Sequence, residues 1–193
     1  MIRLSEPSEE EIRRFISELH ASPLSYQEVG ASAGALPDGY NVDHHRNELG
    51  RGEIVWRKAV EAVRGWQMFN LSWLRLYWPT LPIRVGTEVA VLVHRLGFFW
   101  LNACRIVYVV DEDDRVRRFG FAYGTLFEHA ECGEERFTVE WNRKDDTVWY
   151  EILAFSRPGH IFARLGYPLS RLLQRKFAED SKQAMLQSVG RSR

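Results

Sequence analysis

The residues best suited to chemistry in this chain form one short acidic stretch. It holds four carboxylates and an imidazole within eight residues: Glu128, His129, Glu131, Glu134 and Glu135. Such groups can position a polar ligand head or transfer a proton, and they can also bind metal ions. Because the stretch contains a single histidine, a metal site is the least favoured of these, and we predict none.

Glu135 is the strongest candidate for a functional carboxylate because of its place in a predicted strand. The segment Glu134–Asn142 alternates in polarity, and Glu135 falls on the same face as Phe137 and Val139. Among aromatic side chains desolvation raises the pKa of a carboxyl, as a general acid or a hydrogen-bond donor requires. The alternative is an acidic, solvated turn that keeps the neighbouring strands soluble.

A second polar group is the sequence Asp43-His-His-Arg46. Adjacent histidines on an extended segment point in opposite directions, so at most one of them joins a shared site. If His44 reaches the rim that carries His129 and Glu135, two imidazoles and a carboxylate meet there. In the alternative interpretation Asp43 caps the turn that follows it, which is an ordinary structural role.

Further residues on the predicted strands could complete a binding site. Tyr123 and Tyr150 offer hydroxyls, and Arg157 offers a guanidinium, to a ligand carboxylate or keto group; alternatively these tyrosines are hydrogen-bonded core residues. The predicted ligand-binding residues are Asp43, His44, Phe119, Phe121, Tyr123, His129, Glu131, Glu135, Tyr150 and Arg157. The candidates for catalysis among them are Glu135, His129 and Tyr123.

Other motifs with a known chemical role are weak in this chain. Cys132 lies beside carboxylates that disfavour a thiolate, and Cys104 falls inside a predicted strand as a small core residue. The glycines of Gly50-Arg-Gly52 lack the P-loop lysine, so they indicate a tight turn rather than a phosphate site. No serine has the nucleophile-elbow pattern. We predict no cofactor.

Composition narrows the class of protein. The 193 residues include 26 basic and 26 acidic side chains, so no net charge attracts nucleic acid or anionic lipid. Two cysteines, no secretory signal and no apolar run of ~18 residues predict a cytoplasmic protein without an integral membrane segment. Seven Trp, seven Tyr and eleven Phe are enough to fill a core or to line a pocket.

Five strand-like segments position the candidate residues. They are Val85–His94, Ala103–Asp111, Arg117–Leu126, Glu134–Asn142 and Thr147–Ser156. Their connectors are too short for crossover helices, so we predict an antiparallel meander. Gly120 and Gly124 would weaken a strand unless another group approaches closely or the sheet bends.

Helical patterns flank these strands. Ser8–His20 and Glu53–Arg64 predict short helices, and a long amphipathic helix is predicted from Pro168 to Val189 after a break at Gly166-Tyr167. Ser25–Ser32 is predicted as a short edge strand. Trp66–Trp78 is ambiguous: a helical stripe fits Trp66, Phe69, Trp73 and Tyr77, but the density of aromatic residues favours an irregular strand, which we predict. The fold class is α+β: one domain over residues 1–193, with its core at 25–189 and the helix 8–20 as an extension. In it a curved antiparallel sheet of six to seven strands grips the long C-terminal helix.

Short motifs throughout the chain resemble a known family. They are Val42-Asp-His44 with Leu49-Gly-Arg-Gly52, Val85-Gly86, Ala122-Tyr-Gly-Thr-Leu126, His129-Ala-Glu-Cys-Gly-Glu-Glu-Arg-Phe137 and Phe155-Ser-Arg-Pro158. They are similar to those of the uncharacterised family UPF0548 of bacteria and plants. The order of elements also resembles the helix-grip fold of START-like proteins, pollen allergens and polyketide cyclases. The resemblance implies a fold and, by analogy, a pocket, but no established activity.

Three functions follow from these observations. The first is a protein that binds a small apolar or aromatic molecule between sheet and helix. The second is a metal-independent enzyme, such as a cyclase, dehydratase or isomerase, that uses the rim Glu and His residues. The third is a structural or interaction module whose core is full. The first two require a cavity of ~300 Å³ or more. The sequence leaves the ligand and the oligomeric state open.

Overall fold

The computed structural model describes residues 2–95, 97–127, 129, 131–159 and 167–190. The strands are β1 (Ile2–Arg3), β2 (Asn41–Arg51), β3 (Leu74–Tyr77), β4 (Glu88–Arg95), β5 (Phe98–Asp113), β6 (Val116–Thr125), β7 (Glu131–Asn142) and β8 (Thr147–Pro158). The helices are α1 (Glu9–Leu19), α2 (Glu53–Arg64) and α3 (Tyr167–Ser188). None of the described helices is long and apolar enough to cross a membrane.

All the strands belong to one antiparallel sheet. Its order is β2-β8-β7-β6-β5-β4-β3, and β1 adds a short pairing to β5. The five predicted strands are β4 to β8, in the predicted meander, with boundaries that differ by a few residues. The main order has seven strands, which confirms the prediction of an antiparallel sheet with six to seven strands, and the two-residue β1 is an addition to it.

The two faces of the sheet are covered by different helices. On one face α2 and α3 enclose a core that includes Trp56, Phe137 and Met185. On the other face α1 packs Ile12 and Phe15 against β4 and β5. The curved sheet thus grips the C-terminal helix on its concave side, as the sequence predicted. The predicted break at Gly166-Tyr167 lies partly outside the described residues, and α3 begins at Tyr167.

The short helices form where local sequence favours them. Ser8 and Glu11 make the reciprocal hydrogen bonds of a capping box at the start of α1. Helix α2 ends at Gly65, whose amide donates to the carbonyl of Glu61. Both helices match their predicted bounds to within one residue.

Of the two shorter predicted strands, Ser25–Ser32 is wrong and Trp66–Trp78 is confirmed only in its second half. The described residues of Ser25–Ser32 form no strand: an isolated bridge pairs Leu24 with Leu126 just before the segment, and a 3-10 turn lies at Ala31–Ala33. This segment bends because its backbone amides bind a carboxylate on the sheet, a long-range contact that local patterns do not reveal. In Trp66–Trp78 only β3 is a strand, and the preceding residues form a 3-10 turn at Gln67–Phe69.

The strand glycines mark places where other groups approach closely. A Cβ on Gly120 would lie 2.1 Å from the carbonyl oxygen of Phe137 in the adjacent strand. A Cβ on Gly124 would lie 2.3 Å from the Tyr26 hydroxyl oxygen, which packs on the outer face. The expectation that these glycines permit a close approach is confirmed, and they let neighbouring groups pack tightly against the curved sheet.

Replacing Gly120 with alanine therefore tests the packing of the curved sheet. The Cβ would collide with backbone rather than with a movable side chain, so Gly120→Ala should lower the free energy of unfolding by at least about 2 kcal/mol. Gly34→Ala is the matched control, because a Cβ there meets no atom within 4 Å, and it should change stability by less than about 0.5 kcal/mol. Urea denaturation measures both, and equal stabilities of the two variants would contradict this account.

Candidate functional site

A cavity of about 200 Å³ lies between the concave face of the sheet and α3. Its walls are mostly apolar: Phe69 and Trp73 from the segment before β3, Ile152 from β8, and Leu173 and Phe177 from α3. Aromatic rings pack around it, with centroids of Phe69 and Phe177 5.4 Å apart. The cavity exists because α3 crosses the concave face without filling it at this end.

The polar centre of the cavity is a carboxyl paired with a phenol. The Tyr123 hydroxyl donates to Glu135 Oε2 over 2.7 Å, and both residues line the cavity. They face each other directly across β6 and β7. Desolvation by burial raises the pKa of Glu135 to about 7, although the Tyr123 hydroxyl partly opposes this. Desolvation also raises the pKa of Tyr123 well above its usual value, so this phenol stays protonated.

His129 also lines the cavity, next to the start of β7. The backbone amide of Glu131 donates to its Nδ1 over 3.0 Å, which leaves the ring proton on Nε2. Burial lowers the pKa of His129 to about 4. The imidazole is therefore neutral at physiological pH and offers one N–H donor.

An ion pair joins the edge strand β2 to the start of α3. The Arg171 guanidinium binds the Asp43 carboxylate through both nitrogens, and the Nη2–Oδ1 distance is 2.6 Å. Arg171 also donates to Gln174 Oε1 over 2.7 Å, and Gln174 Nε2 donates to Ser156 Oγ over 3.2 Å. Asp43 thus anchors the helix to the sheet. The alternative in which it caps a turn is wrong, because it lies within β2.

Glu131 lies at the same end of the cavity. Burial raises its pKa, and the hydroxyls of Ser170 and Ser156 offset part of that effect. Its Oε2 is a buried atom with no hydrogen-bond partner among the described residues. Glu131 is therefore a carboxylate whose hydrogen-bonding capacity is incompletely used.

Glu134, next to Glu135 in the sequence, has a structural role. It is only 2% exposed. It accepts hydrogen bonds from the Tyr26 hydroxyl (2.6 Å), the Gly30 amide (2.7 Å), the Ser32 amide (3.0 Å) and the Ser32 hydroxyl. These bonds fix the segment between α1 and β2 on the sheet.

Other predicted site residues lie away from the cavity centre. Phe119, Phe121 and Tyr150 belong to the packed core, where the Tyr150 hydroxyl is 2.8 Å from Ser181 Oγ. The Arg157 guanidinium stacks on the Tyr40 ring at 4.6 Å. None of these four residues lines the cavity among the described part of the chain. β6 continues past the cavity into the packed core, where the ring centroids of Phe121 and Trp66 are 4.7 Å apart.

His44 does not join the site. Its Nε2 is 3.2 Å from Glu151 Oε2 on the outer face of the sheet. The hypothesis that His44 meets His129 and Glu135 in one site is therefore wrong. Alternation along β2 turns the neighbouring His45 toward the cavity instead, and burial lowers the pKa of this imidazole. Glu128 lies outside the described residues. Within the described part of the chain no three metal-binding side chains cluster.

Sequence reasoning missed several residues that line the cavity. His45 lies two residues after Asp43, so alternation along the strand could have placed both on the same face. Leu173 and Phe177 belong to the apolar face from which helix α3 was predicted. No sequence pattern indicated that Cys104 and Asn102 of β5 line the cavity. The part of a long strand that faces a void is set by where the helix crosses the strand. Burial strongly raises the pKa of the Cys104 thiol, so it is not a nucleophile at neutral pH.

Comparisons with known proteins match almost the whole chain. The model of a domain of unknown function, DUF1990, matches residues 25–184. A UPF0548 protein of Dictyostelium discoideum is 36% identical over an alignment of 208 positions, which covers 98% of this chain and 96% of that protein. A UPF0548 protein of Deinococcus radiodurans is 34% identical over an alignment of 201 positions, which covers 98% of this chain and 100% of that protein. The structure of human STARD10 has 12% identity and a TM-score of 0.45, covering 94% of this chain and 81% of that one.

The environment of Glu135 predicts a specific dependence of stability on pH. A carboxyl whose pKa is about 7 in the folded protein and about 4.5 when unfolded binds its proton more tightly in the folded state. Between these pH values the folded state binds more protons than the unfolded state. The free energy of unfolding therefore falls as pH rises, by about 3 kcal/mol in all. Glu135→Gln should remove this component.

Chemical denaturation of wild type and Glu135→Gln from pH 4.5 to 8 measures the effect. The stability difference in favour of the variant should grow up to pH 7 and then level off. Taking the difference cancels the opposite effect of His129, whose buried neutral ring must be protonated at low pH. Glu61→Gln, on the exposed face of α2, is the control for the same chemical change. A flat difference for Glu135→Gln would show that this carboxyl is solvated.

Proposed function

We propose that this chain, which belongs to the DUF1990 family of unknown function, binds a small molecule in the cavity under α3. Its family membership confirms the resemblance to UPF0548. The ligand has an apolar or aromatic body and one polar group. The observation that carries this proposal is the Glu135–Tyr123 pair, a titratable carboxyl with one hydrogen-bond partner on the wall of a mostly apolar cavity.

The size of the cavity limits the ligand. At about 200 Å³ it is smaller than the ~300 Å³ that we expected for a ligand pocket. Apolar cavities of about 150 Å³ do bind benzene. A ligand of one ring with a short chain therefore fits the available space, and a sterol or a long acyl chain does not. A module with a completely filled core would have no such cavity.

The energetics of Glu135 support a role in binding. Burial of a carboxyl without a counter-ion destabilises the folded state, and its pKa of about 7 reflects this. An apolar residue of similar size would pack against Phe137 without that cost. A ligand group that hydrogen-bonds the carboxyl would offset the cost when it binds.

Acid–base catalysis is the second candidate function, and one observation favours it. A carboxyl with a pKa of about 7 can both accept and donate a proton near neutral pH, which suits a general acid or base. Tyr123 would donate a hydrogen bond to Glu135 throughout, and the neutral His129 would offer its Nε2–H to a ligand oxygen. This arrangement suits proton-transfer reactions such as isomerisation, dehydration or cyclisation, without a metal.

Filling the cavity should abolish binding without harming the fold. Ala154 of β8 lines the cavity, so Ala154→Leu places three more carbon atoms where the ligand would lie. With indole as an aromatic probe of suitable size, we expect saturable binding to wild type by isothermal titration calorimetry. We expect at least ~10-fold weaker binding to Ala154→Leu, a loss of about 1.4 kcal/mol or more.

The control makes the same chemical change elsewhere. Ala33→Leu lies on an exposed turn on the other face of the sheet and should bind indole like wild type. Equal binding to wild type and Ala154→Leu, or no binding to either, would contradict the proposed function. If a substrate is found, Glu135→Gln separates the two candidates, since loss of turnover with binding retained indicates catalysis.

A further inference from the structure

We propose that the ligand carries a protonated amine, which lies against the Glu135 carboxylate. This inference names the chemical class of the ligand and rests on the proposed binding function. It follows from the charges around the cavity and from the partners that each charged group already has.

The cavity wall is acidic. Three acidic residues line it from the inner face of the sheet: Asp43, Glu131 and Glu135. Glu134 also borders the cavity, but its carboxylate lies on the outer face. Arg171 neutralises Asp43 through a bidentate ion pair. Glu134 is saturated by four hydrogen-bond donors on the outer side of the sheet. The Arg171 charge offsets part of the effect of burial on the pKa of Glu131. Glu135 makes no salt bridge among the described residues, and its hydrogen-bond partner there is a neutral phenol.

The basic residues in the wall do not balance that charge either. His45 and His129 are the histidines that line the cavity in the described part of the chain. Burial lowers the pKa of both, so both rings are neutral at physiological pH. When Glu135 is ionised, a ligand anion would meet a like charge on the wall. A ligand cation would meet a carboxylate without a salt bridge among the described residues, and it would favour the ionised form of that carboxyl.

Glu135 is placed to contact the ligand directly. Tyr123 is its one hydrogen-bond partner among the described residues, and it occupies Oε2. Oε1 therefore has no partner there, and an ammonium group can donate to it. A charge-assisted bond of this kind is about twice as strong as one between neutral groups.

The aromatic wall favours the same ligand chemistry. Phe69, Trp73 and Phe177 line the cavity beside Tyr123, and the ring centroids of Phe69 and Tyr123 are 6.1 Å apart. Aromatic faces attract a cation and also pack against an apolar body. An amine attached to an aromatic ring by a short chain satisfies both properties of the site.

Glu131 contributes through its charge rather than by direct contact. It precedes Glu135 by four residues in β7, which places their Cα atoms ~13 Å apart along an extended strand. One ammonium cannot reach both carboxylates. The unpaired Oε2 of Glu131 adds to the negative potential at the end of the cavity near Arg171.

Three probes of nearly the same shape test the inference: 2-phenylethylamine, 2-phenylethanol and phenylacetate. Their affinities are measured by calorimetry at pH 7.5 with wild type, Glu135→Gln and Glu131→Gln. Wild type should bind the amine at least ~10-fold more tightly than the alcohol, because one neutral hydrogen bond is replaced by a charge-assisted one. Phenylacetate should bind weakest.

Glu135→Gln should abolish the preference for the amine and retain binding of the alcohol, and Glu131→Gln should reduce the preference by a smaller factor.

The outcomes separate this inference from the proposed function. Equal or tighter binding of the alcohol or of phenylacetate would overturn the amine and leave the binding function in place. No binding of any probe would overturn both. Tyr123→Phe keeps the carboxylate and should keep the preference for the amine. It provides an independent test if Glu135→Gln does not fold, and loss of the preference in Tyr123→Phe would contradict a direct contact with Glu135.

Discussion

Alternation along β7 places two consecutive carboxylates on opposite sides of one sheet, and the rest of the structure is arranged around them. Glu134 points to the outer face, where four donors saturate it and fix the segment that precedes β2. Glu135 points to the inner face, where a single phenol contacts it. The first carboxylate stabilises the fold, and the second remains available to a ligand.

The inner carboxylate has these properties because of how the sheet is covered. Curvature brings β2 and β4 to β8 around α3, and the core beside α2 is filled with aromatic rings. Beside the cavity the Asp43–Arg171 ion pair ties α3 to β2, and Leu173 and Phe177 of the helix form part of the cavity wall. The void is lined mostly by apolar groups, and desolvation there raises the pKa of Glu135 above its usual value.

The parts of the fold set by local pattern were predictable, and those set by distant contacts were not. The five meander strands, the capping box at Ser8 and the helical stripe of α3 follow from residue periodicity. The parity of β7 correctly predicted that Glu135 and Phe137 share a face. The bent segment at Ser25–Ser32 was missed, because its amides are held by Glu134 about 100 residues later.

The candidate site was predictable to a similar degree. Glu135, Tyr123, His129 and Asp43 were found from strand parity and composition, whereas Phe119 and Phe121 lie past the point where the cavity ends. Where a void begins depends on the crossing of α3, which no local pattern encodes.

The central claim is that this void holds a small molecule. Native mass spectrometry of the protein, after incubation with a small-molecule extract of its host cells, tests that claim most directly. We predict a discrete added mass of one small molecule per chain that disappears when the protein is denatured. The bare polypeptide mass under both conditions would contradict the account.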